Sequence, residues 1–364
     1  MSRAERGLGT RLLVLEAGSA MSNNLIRSLK AGDPSLVIVG CNDNRFFLKK
    51  SEAHRNYALP LSSRTFAAAL RRIIEAERID LLVPTNDTDV LKVSAIRDEL
   101  GCRTFLPDQS VIERCNDKYA LSVFLRRRGI PAPLTYPIRK VENVAAVFRR
   151  FGRRSQLWCR VRGGSGSYAA IPVKTPAQAT SWIRYWERMR GVPPGWFTLS
   201  EYLPGRDFCV QCLWRDGTLI LTKMAERLTY LDTAGPSGVS SMPAIAKTAF
   251  DPKIVRMCAK AIRALDAKAS GVFFVDIKES AKGEPCVTEI NAGRFATMTN
   301  LHDLVGKHNM AATYARLGAG KRVALRNASD FAEGYYIVRS VDTLPAIVHA
   351  SELFKGVGEL AVNR

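Results

Sequence analysis

Two neighbouring stretches, Gly271-Val-Phe-Phe-Val-Asp-Ile-Lys-Glu279 and Cys286-Val-Thr-Glu-Ile-Asn291, decide the fold of this chain. The first is apolar and rich in β-branched and aromatic residues, which predicts a buried strand. The segment Ser280-Ala-Lys-Gly-Glu-Pro285 between them carries turn-forming residues, and Pro285 is tolerated only where the return strand starts. We therefore predict a β-hairpin.

The hairpin places acidic side chains face to face. If the turn is centred on Lys282-Gly283, Asp276 lies opposite Glu289, and Asn291 shares the face of Glu289 because strand side chains alternate. Two carboxylates about 5 Å apart repel by about 3 kcal/mol at an effective dielectric near 20, a large part of a net stability of about 5–15 kcal/mol. A cation must offset this repulsion, and Mg²⁺ prefers oxygen ligands of this kind. We predict Asp276, Glu289 and Asn291 as its ligands; the alternative is a solvated hairpin with two surface acids.

Length and composition indicate a soluble, reduced protein. The 364 residues suffice for two or three domains. No apolar run reaches the length of a membrane span, and Leu12-Leu-Val-Leu15 is too short for a signal-peptide core, so we expect a cytoplasmic location without membrane contact. Cys209 and Cys212 form a CxxC pair, but on a strand their side chains face opposite ways and no second pair exists. Reduced core thiols are therefore expected.

The net charge of +20 raises the question of nucleic-acid binding. The arginines occur in short, dispersed clusters on or beside predicted helices, where charges usually form a solvated face. No helix-turn-helix, RNP or zinc-finger spacing is present. We expect nonspecific polyanion binding at low salt and no specific nucleic-acid partner. A basic field also attracts nucleotides and carboxylates.

Strands and helices alternate in the first third of the chain. Strands are predicted at 11–16, 35–40 and 80–84, with a helix at 64–78 among those between them. Continuous apolar strands in this order indicate a doubly wound parallel sheet. A GxGxxG turn is lacking, so a dinucleotide is not indicated. A substrate-binding edge is an open alternative near Gly18–Asn23 and Asp43, at the carboxyl ends of the strands.

A glycine-rich loop follows in the middle of the chain. Val161-Arg-Gly-Gly-Ser-Gly-Ser167 lies between predicted strands at 156–160 and 168–173, whereas Walker A and Rossmann loops lead into a helix. Such a loop can still fold over a triphosphate, because glycines allow close backbone approach. The alternative is an ordinary hairpin turn. Helices are predicted at 116–125, 142–152, 176–190, 251–266 and 302–317, and the polar loop 235–242 is a candidate lid or substrate wall.

The order of these parts resembles the ATP-grasp superfamily, and more narrowly the single-module relatives of the carbamoyl-phosphate synthase large subunit. The resemblance runs from residue 11 to about residue 320. It implies a Rossmann-like pre-ATP-grasp domain over 1–112 and an ATP-grasp domain over 113–325. The latter would consist of a glycine-loop lobe, about 155–205, and a metal-binding lobe, about 206–325; residues 326–364 would be a β-rich tail. A second copy of the module is lacking, so the chain is not a complete carbamoyl-phosphate synthase.

The resemblance also implies roles for residues in several motifs. Asp117-Lys118 is similar to the DK segment whose basic residue reaches the ATP phosphates, and Arg160 stands where the family usually has a lysine. The glycine loop would cover the phosphates with Gly163, Gly164, Ser165, Gly166 and Ser167. The hinge, Glu201-Tyr202-Leu203, would bind adenine, and Asp207 would meet the ribose.

Two further basic residues complete the set. Arg294 resembles the arginine that steadies the transferred phosphoryl group, although Asn-Ala-Gly-Arg has one residue more than the commoner Asn-Pro-Arg. Arg160 and Arg294 are the predicted catalytic residues. Lys223 is predicted to face the nucleotide, with a solvated strand lysine as the alternative.

The activity implied is that of an ATP-dependent carboxylate–amine ligase. ATP would convert a small carboxylate into an acyl phosphate, which an amine attacks, with two Mg²⁺ ions that Mn²⁺ can replace. The resemblance leaves a homodimer open. Two alternatives remain: a catalytically degenerate, ATP-binding regulatory module, and a basic nucleic-acid-binding protein.

Overall fold

Three β-sheets organise the chain in the computed structural model, which describes residues 9–60, 63–152, 154–164, 166–231, 242–298, 303–332, 334–338 and 355–358. One sheet is parallel, and two are largely antiparallel. In the described residues no helix is both long and apolar enough to cross a membrane.

The first sheet is parallel and doubly wound, as predicted. Its strands run in the order β3-β2-β1-β4-β5, so the order reverses at β1 and helices cover both faces. The strands are β1 (Arg11–Val14), β2 (Val37–Asn42), β3 (Arg55–Ala58), β4 (Leu81–Val83) and β5 (Arg103–Thr104). The helices are α1 (Ala20–Gly32), α2 (Arg45–Leu48), α3 (Ser63–Glu77) and α4 (Asp87–Ile96).

The small antiparallel sheet follows two short helices. Its order is β6-β9-β7-β8, and the glycine-rich loop connects the neighbouring strands β7 and β8. The strand predicted from residue 168 begins only at Ile171, because Ser167 and Ala169 have positive φ values of 57° and 52° and continue the turn. The elements are α5 (Gln109–Asn116), α6 (Lys118–Arg127), β6 (Thr135–Pro137), α7 (Val144–Arg149), β7 (Leu157–Val161), β8 (Ile171–Val173), α8 (Pro176–Arg190) and β9 (Phe197–Glu201).

The large sheet contains the hairpin predicted from the sequence. Its order is β14-β13-β10-β11-β12-β16. The sequence predicts a hairpin at Asp216-Gly217 with a strand over 218–224 after it, and the observed strand continues to Tyr230, six residues further. The elements are β10 (Asp207–Arg215), β11 (Thr218–Tyr230), β12 (Pro243–Thr248), α9 (Pro252–Leu265), β13 (Gly271–Glu279), β14 (Pro285–Ala292) and α10 (Met310–Gly318). Of the loop predicted at 235–242, only Met242 lies within the described residues.

Three short strands near the end of the chain join both large sheets. β15 (Ala328–Ser329) pairs with β11, and β16 (Tyr336–Val338) pairs with β12. β17 (Val357–Gly358) instead returns to the parallel sheet and pairs with β3. The C-terminal part of the chain is thus attached to the first and the third sheet.

The large sheet is buried on both faces, which gives the hairpin a rigid support. Phe208, Val210, Cys212 and Trp214 of β10 pack in one core, whereas Leu213 packs in another. Cys209 packs in a third, so the two cysteines of the CxxC pair face opposite ways as predicted. All eight cysteines are free thiols. Full burial of each large apolar side chain stabilises the fold by about 1.5–3 kcal/mol.

Candidate functional site

A cavity of about 630 Å³ lies between the small and the large antiparallel sheets. This volume is within the range of about 300–1,000 Å³ that is usual for small-molecule sites. Most of the residues predicted from the sequence line it: Lys118, Arg160, Gly163, Gly164, Gly166, Ser167, Glu201, Tyr202, Leu203, Asp207, Asp276, Glu289, Asn291 and Arg294. Ser165 lies outside the described residues.

The hairpin brings Asp276 opposite Glu289, but by a different route from the one predicted. On the turn side, Ile277 pairs with Val287 and Glu279 with Pro285, so the turn is centred on Lys282 alone. A β-bulge at Thr288 then shifts the register by one residue and aligns Asp276 with Glu289. Asn291 lies two residues further along the same face, opposite Phe274.

Basic side chains contact both acids of the pair. Arg227 forms an ion pair with Asp276 Oδ1, while Lys118 Nζ lies 3.3 Å and Arg160 Nη1 3.7 Å from the carboxylate of Glu289. Burial raises the pKa of Asp276; Arg227 opposes this rise and Glu289 adds to it. The repulsion between the two carboxylates is thus offset in this structure by the positive charges of protein side chains.

Arg227 joins two of the predicted ligand-binding acids. Its Nη1 lies 3.1 Å from Asp207 Oδ1, and its Nη2 bonds Asp276. Burial opposes the charge on Arg227, but the attraction of Asp276 is strong enough to raise the pKa of the guanidinium above its usual value. Asp207 also accepts hydrogen bonds from the Tyr230 hydroxyl and, over 3.4 Å, from Lys278 Nζ.

Arg294 contacts Asn291, the amide beside the acid pair, despite the extra residue in its motif. Gly293 adopts φ = 94°, and its Cα packs so closely that an added Cβ would lie 3.0 Å from Val90 Cγ1. The chain thereby turns so that Arg294 Nη2 donates to Asn291 Oδ1 over 2.6 Å. The same guanidinium lies 3.0 Å from Asp87 Oδ2, at the start of α4. The part of the chain that forms the parallel sheet therefore supplies an acid to this site.

The glycine-rich loop is held over the cavity by Lys118. The Lys118 ammonium donates to the carbonyl of Gly164, and the Lys118 amide donates to Arg162 O over 2.9 Å. The far end of the loop is fixed to α8, where Trp182 Nε1 donates to Ala169 O over 3.0 Å. Lys118 thus touches both the loop and Glu289, and any ligand phosphate between them would meet a positive charge.

The hinge between the two sheets forms the far wall of the cavity. Glu201 ends β9 and Asp207 begins β10, so the five residues between them connect the sheets. Glu201 is fixed by a hydrogen bond from Leu134 N to its Oε2 over 2.7 Å and by an ion pair with Arg154. Tyr202 lies beside Trp158, with ring centroids 6.3 Å apart, which gives this wall an aromatic surface.

Lys223 is the predicted site residue that the structure does not bring to the cavity. It shares the sheet face of Asp276, but its buried ammonium lies 3.0 Å from Asp330 Oδ2 and 3.3 Å from Asp303 Oδ1. Neither of the two sequence alternatives, a nucleotide contact or a solvated side chain, describes this position. The ion cluster instead ties β11 to the segments before α10 and after β15.

Sequence reasoning missed three side chains of the site, namely Arg227, Tyr230 and Asp87. Arg227 and Tyr230 lie on the part of β11 beyond the predicted strand end at Met224. Extending the hairpin at Asp216-Gly217 by strict alternation would have placed Arg227 opposite Arg206, one residue from its observed partner Asp207, because a β-bulge beside Leu213 shifts the register. The pairing of Asp87 with Arg294 spans 207 residues and left no local signal.

The donor set fits a hard divalent cation chemically. No group of three or more His, Cys, Asp or Glu side chains suited to a metal occurs within the described residues. Two carboxylates with an amide oxygen beside them nevertheless match Mg²⁺, which takes few protein ligands and completes its shell with water and phosphate. Arg160 Nε and Arg227 Nε are buried without a hydrogen-bond partner in the described structure, which indicates unused donor capacity at the same place.

Comparisons with known proteins identify the fold. No family model matches the chain. Its structure is similar to that of an L-amino acid ligase from Bacillus licheniformis, with a TM-score of 0.66 and 13% identity over 85% of this chain and 74% of that one. It is also similar to the biotin carboxylase domain of 2-oxoglutarate carboxylase from Hydrogenobacter thermophilus, which was solved as a dimer with MgADP, ADP and bicarbonate. The TM-score is 0.67 and the identity 14%, over 90% of this chain and 73% of that one.

A third similar structure is N5-carboxyaminoimidazole synthetase from Staphylococcus aureus with ADP. Its TM-score is 0.66 and its identity 10%, over 89% of this chain and 80% of that one. At these identities the likeness concerns the fold, and it confirms the fold that the sequence motifs predicted.

Proposed function

We propose that this chain, which has the ATP-grasp fold, is an ATP-dependent ligase that activates a carboxylate as an acyl phosphate for attack by an amine. One observation carries the proposal: an acid pair, five basic residues and a glycine-rich loop converge on one cavity of small-molecule size. The three similar proteins are named for ligase, carboxylase and synthetase activities, and two were solved with ADP.

Asp276, Glu289 and Asn291 are the residues that would hold magnesium. When bound there, Mg²⁺ neutralises phosphate charge and polarises the phosphoryl group that is transferred. The proposal takes two ions, with Mn²⁺ as a substitute. Support comes from the oxygen donors of the hairpin and from the MgADP in the 2-oxoglutarate carboxylase structure.

The remaining side chains would bind and orient the nucleotide. Lys118 and Arg160 approach Glu289 from the side of the glycine loop, so both can exchange that carboxylate for phosphate oxygens. The loop would exclude water, which otherwise hydrolyses an acyl phosphate. Tyr202 and Leu203 would bind adenine at the hinge, and Asp207 would accept from the ribose hydroxyls. Arg294, fixed by Asp87, would steady the transferred group.

The reaction then balances without covalent help from the protein. A carboxylate oxygen of the substrate attacks the γ-phosphorus of ATP, the bond to the β-phosphate oxygen breaks, and ADP leaves. The amine nitrogen next attacks the acyl carbon, phosphate leaves with the former carboxylate oxygen, and the amine loses a proton. The catalytic contribution is positioning and charge neutralisation, for which Arg160 and Arg294 are the proposed groups.

A second candidate function is an ATP-binding regulatory module. The observation in its favour is that both acids and Arg294 already have protein partners: Arg227 on Asp276, Lys118 on Glu289 and Asp87 on Arg294. Such a module would bind nucleotide but release no ADP. The 2-oxoglutarate carboxylase dimer is in keeping with a homodimer for either candidate.

The test is an ADP-release screen over amino acids, dipeptides and small carboxylates, each with and without an added amine. We expect substrate-dependent ADP release. Glu289→Gln should lower its rate about 100-fold or more, because the variant lacks a ligand of the metal ion whose positive charge stabilises the reacting phosphate. Glu284→Gln, in the exposed turn of the same hairpin, is the matched control and should behave as the wild type.

One result would contradict the proposed metal site, and another would contradict the ligase activity. ADP release that survives Glu289→Gln would show that the acid pair does not hold the metal. Nucleotide binding with no ADP release in any combination of compounds would support the regulatory module instead.

A further inference from the structure

Arg227 lies where two parts of a bound nucleotide would meet. One arm of its guanidinium bonds Asp276, the proposed metal ligand, and the other lies 3.1 Å from Asp207, the proposed ribose ligand. The side chain is about nine-tenths buried and lies over the Phe274 ring, 5.5 Å from the centroid. A single buried cation therefore bridges two acids that are assigned to different parts of the ligand.

The contact with Asp276 is of the kind that competes with a metal. A carboxylate oxygen that accepts from a guanidinium has one lone pair engaged, and the positive charge beside it repels a second cation. Asn291 Nδ2 donates to the other oxygen of Asp276 over 3.1 Å, so both oxygens have donors. Asp276 is thus satisfied without a divalent ion.

A bound nucleotide offers Arg227 a different set of partners. Ribose hydroxyls can replace its Nη1 at Asp207, and phosphate oxygens accept from a guanidinium in the same forked geometry as a carboxylate. Arg227 Nε is buried and has no acceptor among the described residues, so the side chain has an unused donor for such a partner. Moving to phosphate would free Asp276.

We propose that Arg227 is a positioning residue that occupies Asp276 in the absence of nucleotide, excludes the divalent cation, and yields the position when nucleotide binds. This rests on the proposed function, since it assumes that Asp276 is a metal ligand. The consequence is coupled binding: metal and nucleotide strengthen each other's affinity by the same factor, as linkage requires.

The test measures metal binding directly rather than turnover. Free Mn²⁺ is counted by electron paramagnetic resonance during titration of the wild type and of Arg227→Met, with and without a non-hydrolysable ATP analogue, and the Mn²⁺ that the analogue binds without protein is subtracted. We expect the wild type to retain Mn²⁺ tightly only with the analogue, and Arg227→Met to retain it without the analogue about 10-fold or more tightly than the wild type does. Arg227→Lys keeps the charge but lacks the fork, and should lie between them.

A matched control isolates the position from the loss of an arginine. Arg206 Nη2 lies 2.8 Å from Oε1 of Glu279, which belongs to β13 as Asp276 does, but Arg206 does not line the cavity. Arg206→Met should leave Mn²⁺ binding unchanged. Circular dichroism of each variant checks that it is folded; should Arg227→Met fail to fold, the comparison of the wild type with and without analogue still tests the coupling.

The outcomes separate this inference from the proposed function. Equal Mn²⁺ affinity of the wild type with and without the analogue, or of Arg227→Met and wild type without it, overturns the role of Arg227 and leaves the metal site standing. Retention of no Mn²⁺ by any variant under any condition overturns the metal site itself, and the inference with it.

Discussion

At the scale of single residues, Glu16 combines two unusual properties just beyond β1. Its backbone has φ = 55°, in the left-handed region that non-glycine residues rarely adopt, and it lies at the carboxyl edge of the parallel sheet. Burial, together with the nearby carboxylates of Asp89 and Asp43, raises the pKa of Glu16 from 4.5 to about 7. The carboxyl group of Glu16 thus titrates near neutral pH.

The raised pKa of Glu16 predicts a pH dependence of stability. Between pH 4.5 and about 7 the folded chain holds a proton that the unfolded chain has lost, so the free energy of unfolding falls as the pH rises through this window. Glu16→Gln removes the titration and should raise the melting temperature at pH 8 relative to the wild type, with little gain at pH 4.5. Thermal unfolding at several pH values measures this.

The control for this prediction is Glu75→Gln on the exposed face of α3, which should keep the wild-type pH profile. A Glu16→Gln variant whose melting temperature follows the wild type at every pH would show that Glu16 is not the titrating group.

The site residues that belong to local sequence motifs could be predicted from the sequence. Asp276, Glu289 and Asn291 could be identified because a two-residue period on a short hairpin fixes which side chains share a face. Arg227 and Asp87 could not, because the bonds from Arg227 to Asp276 and from Arg294 to Asp87 join residues 49 and 207 positions apart. Only the folded arrangement of the sheets creates these contacts.

At the scale of elements, the glycine-rich loop depends on the backbone freedom of Gly164. This residue has φ = 93°, and its carbonyl accepts from the Lys118 ammonium. An added Cβ would meet only Tyr168, at 3.9 Å, so the effect of Gly164→Ala is backbone strain rather than a clash. We expect a loss of about 1–2 kcal/mol of stability together with weaker ATP binding, because the loop no longer presents the same groups.

Gly152→Ala is the matched control for this loop prediction. Gly152 has φ = 66°, with nothing within 4 Å of an added Cβ, and it is not part of the cavity lining. This variant should lose similar stability and retain ATP affinity. Calorimetric titration with ATP and denaturant unfolding measure both quantities; equal ATP affinity of the two variants would rule out a role for the loop in binding.

The elements themselves were largely predictable, and their ends were not. Helix 176–190 is found at its predicted bounds, since Thr175 caps it and Gly191 ends it in the left-handed conformation. In the β13–β14 hairpin, by contrast, the predicted turn centre was wrong and the bulge at Thr288 was not predicted. Each error shifts the register by one residue, and the two shifts cancel at Asp276. A bulge is set by packing on the partner strand, which a local pattern does not contain. The extension of β11 was missed for the same reason, as its charged residues find partners on neighbouring strands.

At the scale of the whole molecule, the charge of +20 predicts salt-sensitive polyanion binding. One surface groove is lined by four arginines and by no acid: Arg126, Arg127, Arg139 and Arg150. We expect an oligonucleotide gel shift at low salt that falls by orders of magnitude by about 200 mM salt, because counterion release drives it. A shift that persists there would revive the nucleic-acid-binding alternative from the sequence.

The ion pair between Arg294 and Asp87 has a consequence for the ancestry of the chain. The Arg294 guanidinium, at the proposed reaction centre, is held by a carboxylate from the parallel-sheet part of the chain, and Asn24 of that part donates to Thr297 O over 2.8 Å just downstream. Recombination that replaced the parallel-sheet part of the chain with that of another protein would leave Arg294 without the carboxylate of Asp87. This ion pair favours joint inheritance of the two parts, and a hybrid would need an acid at position 87 to restore it.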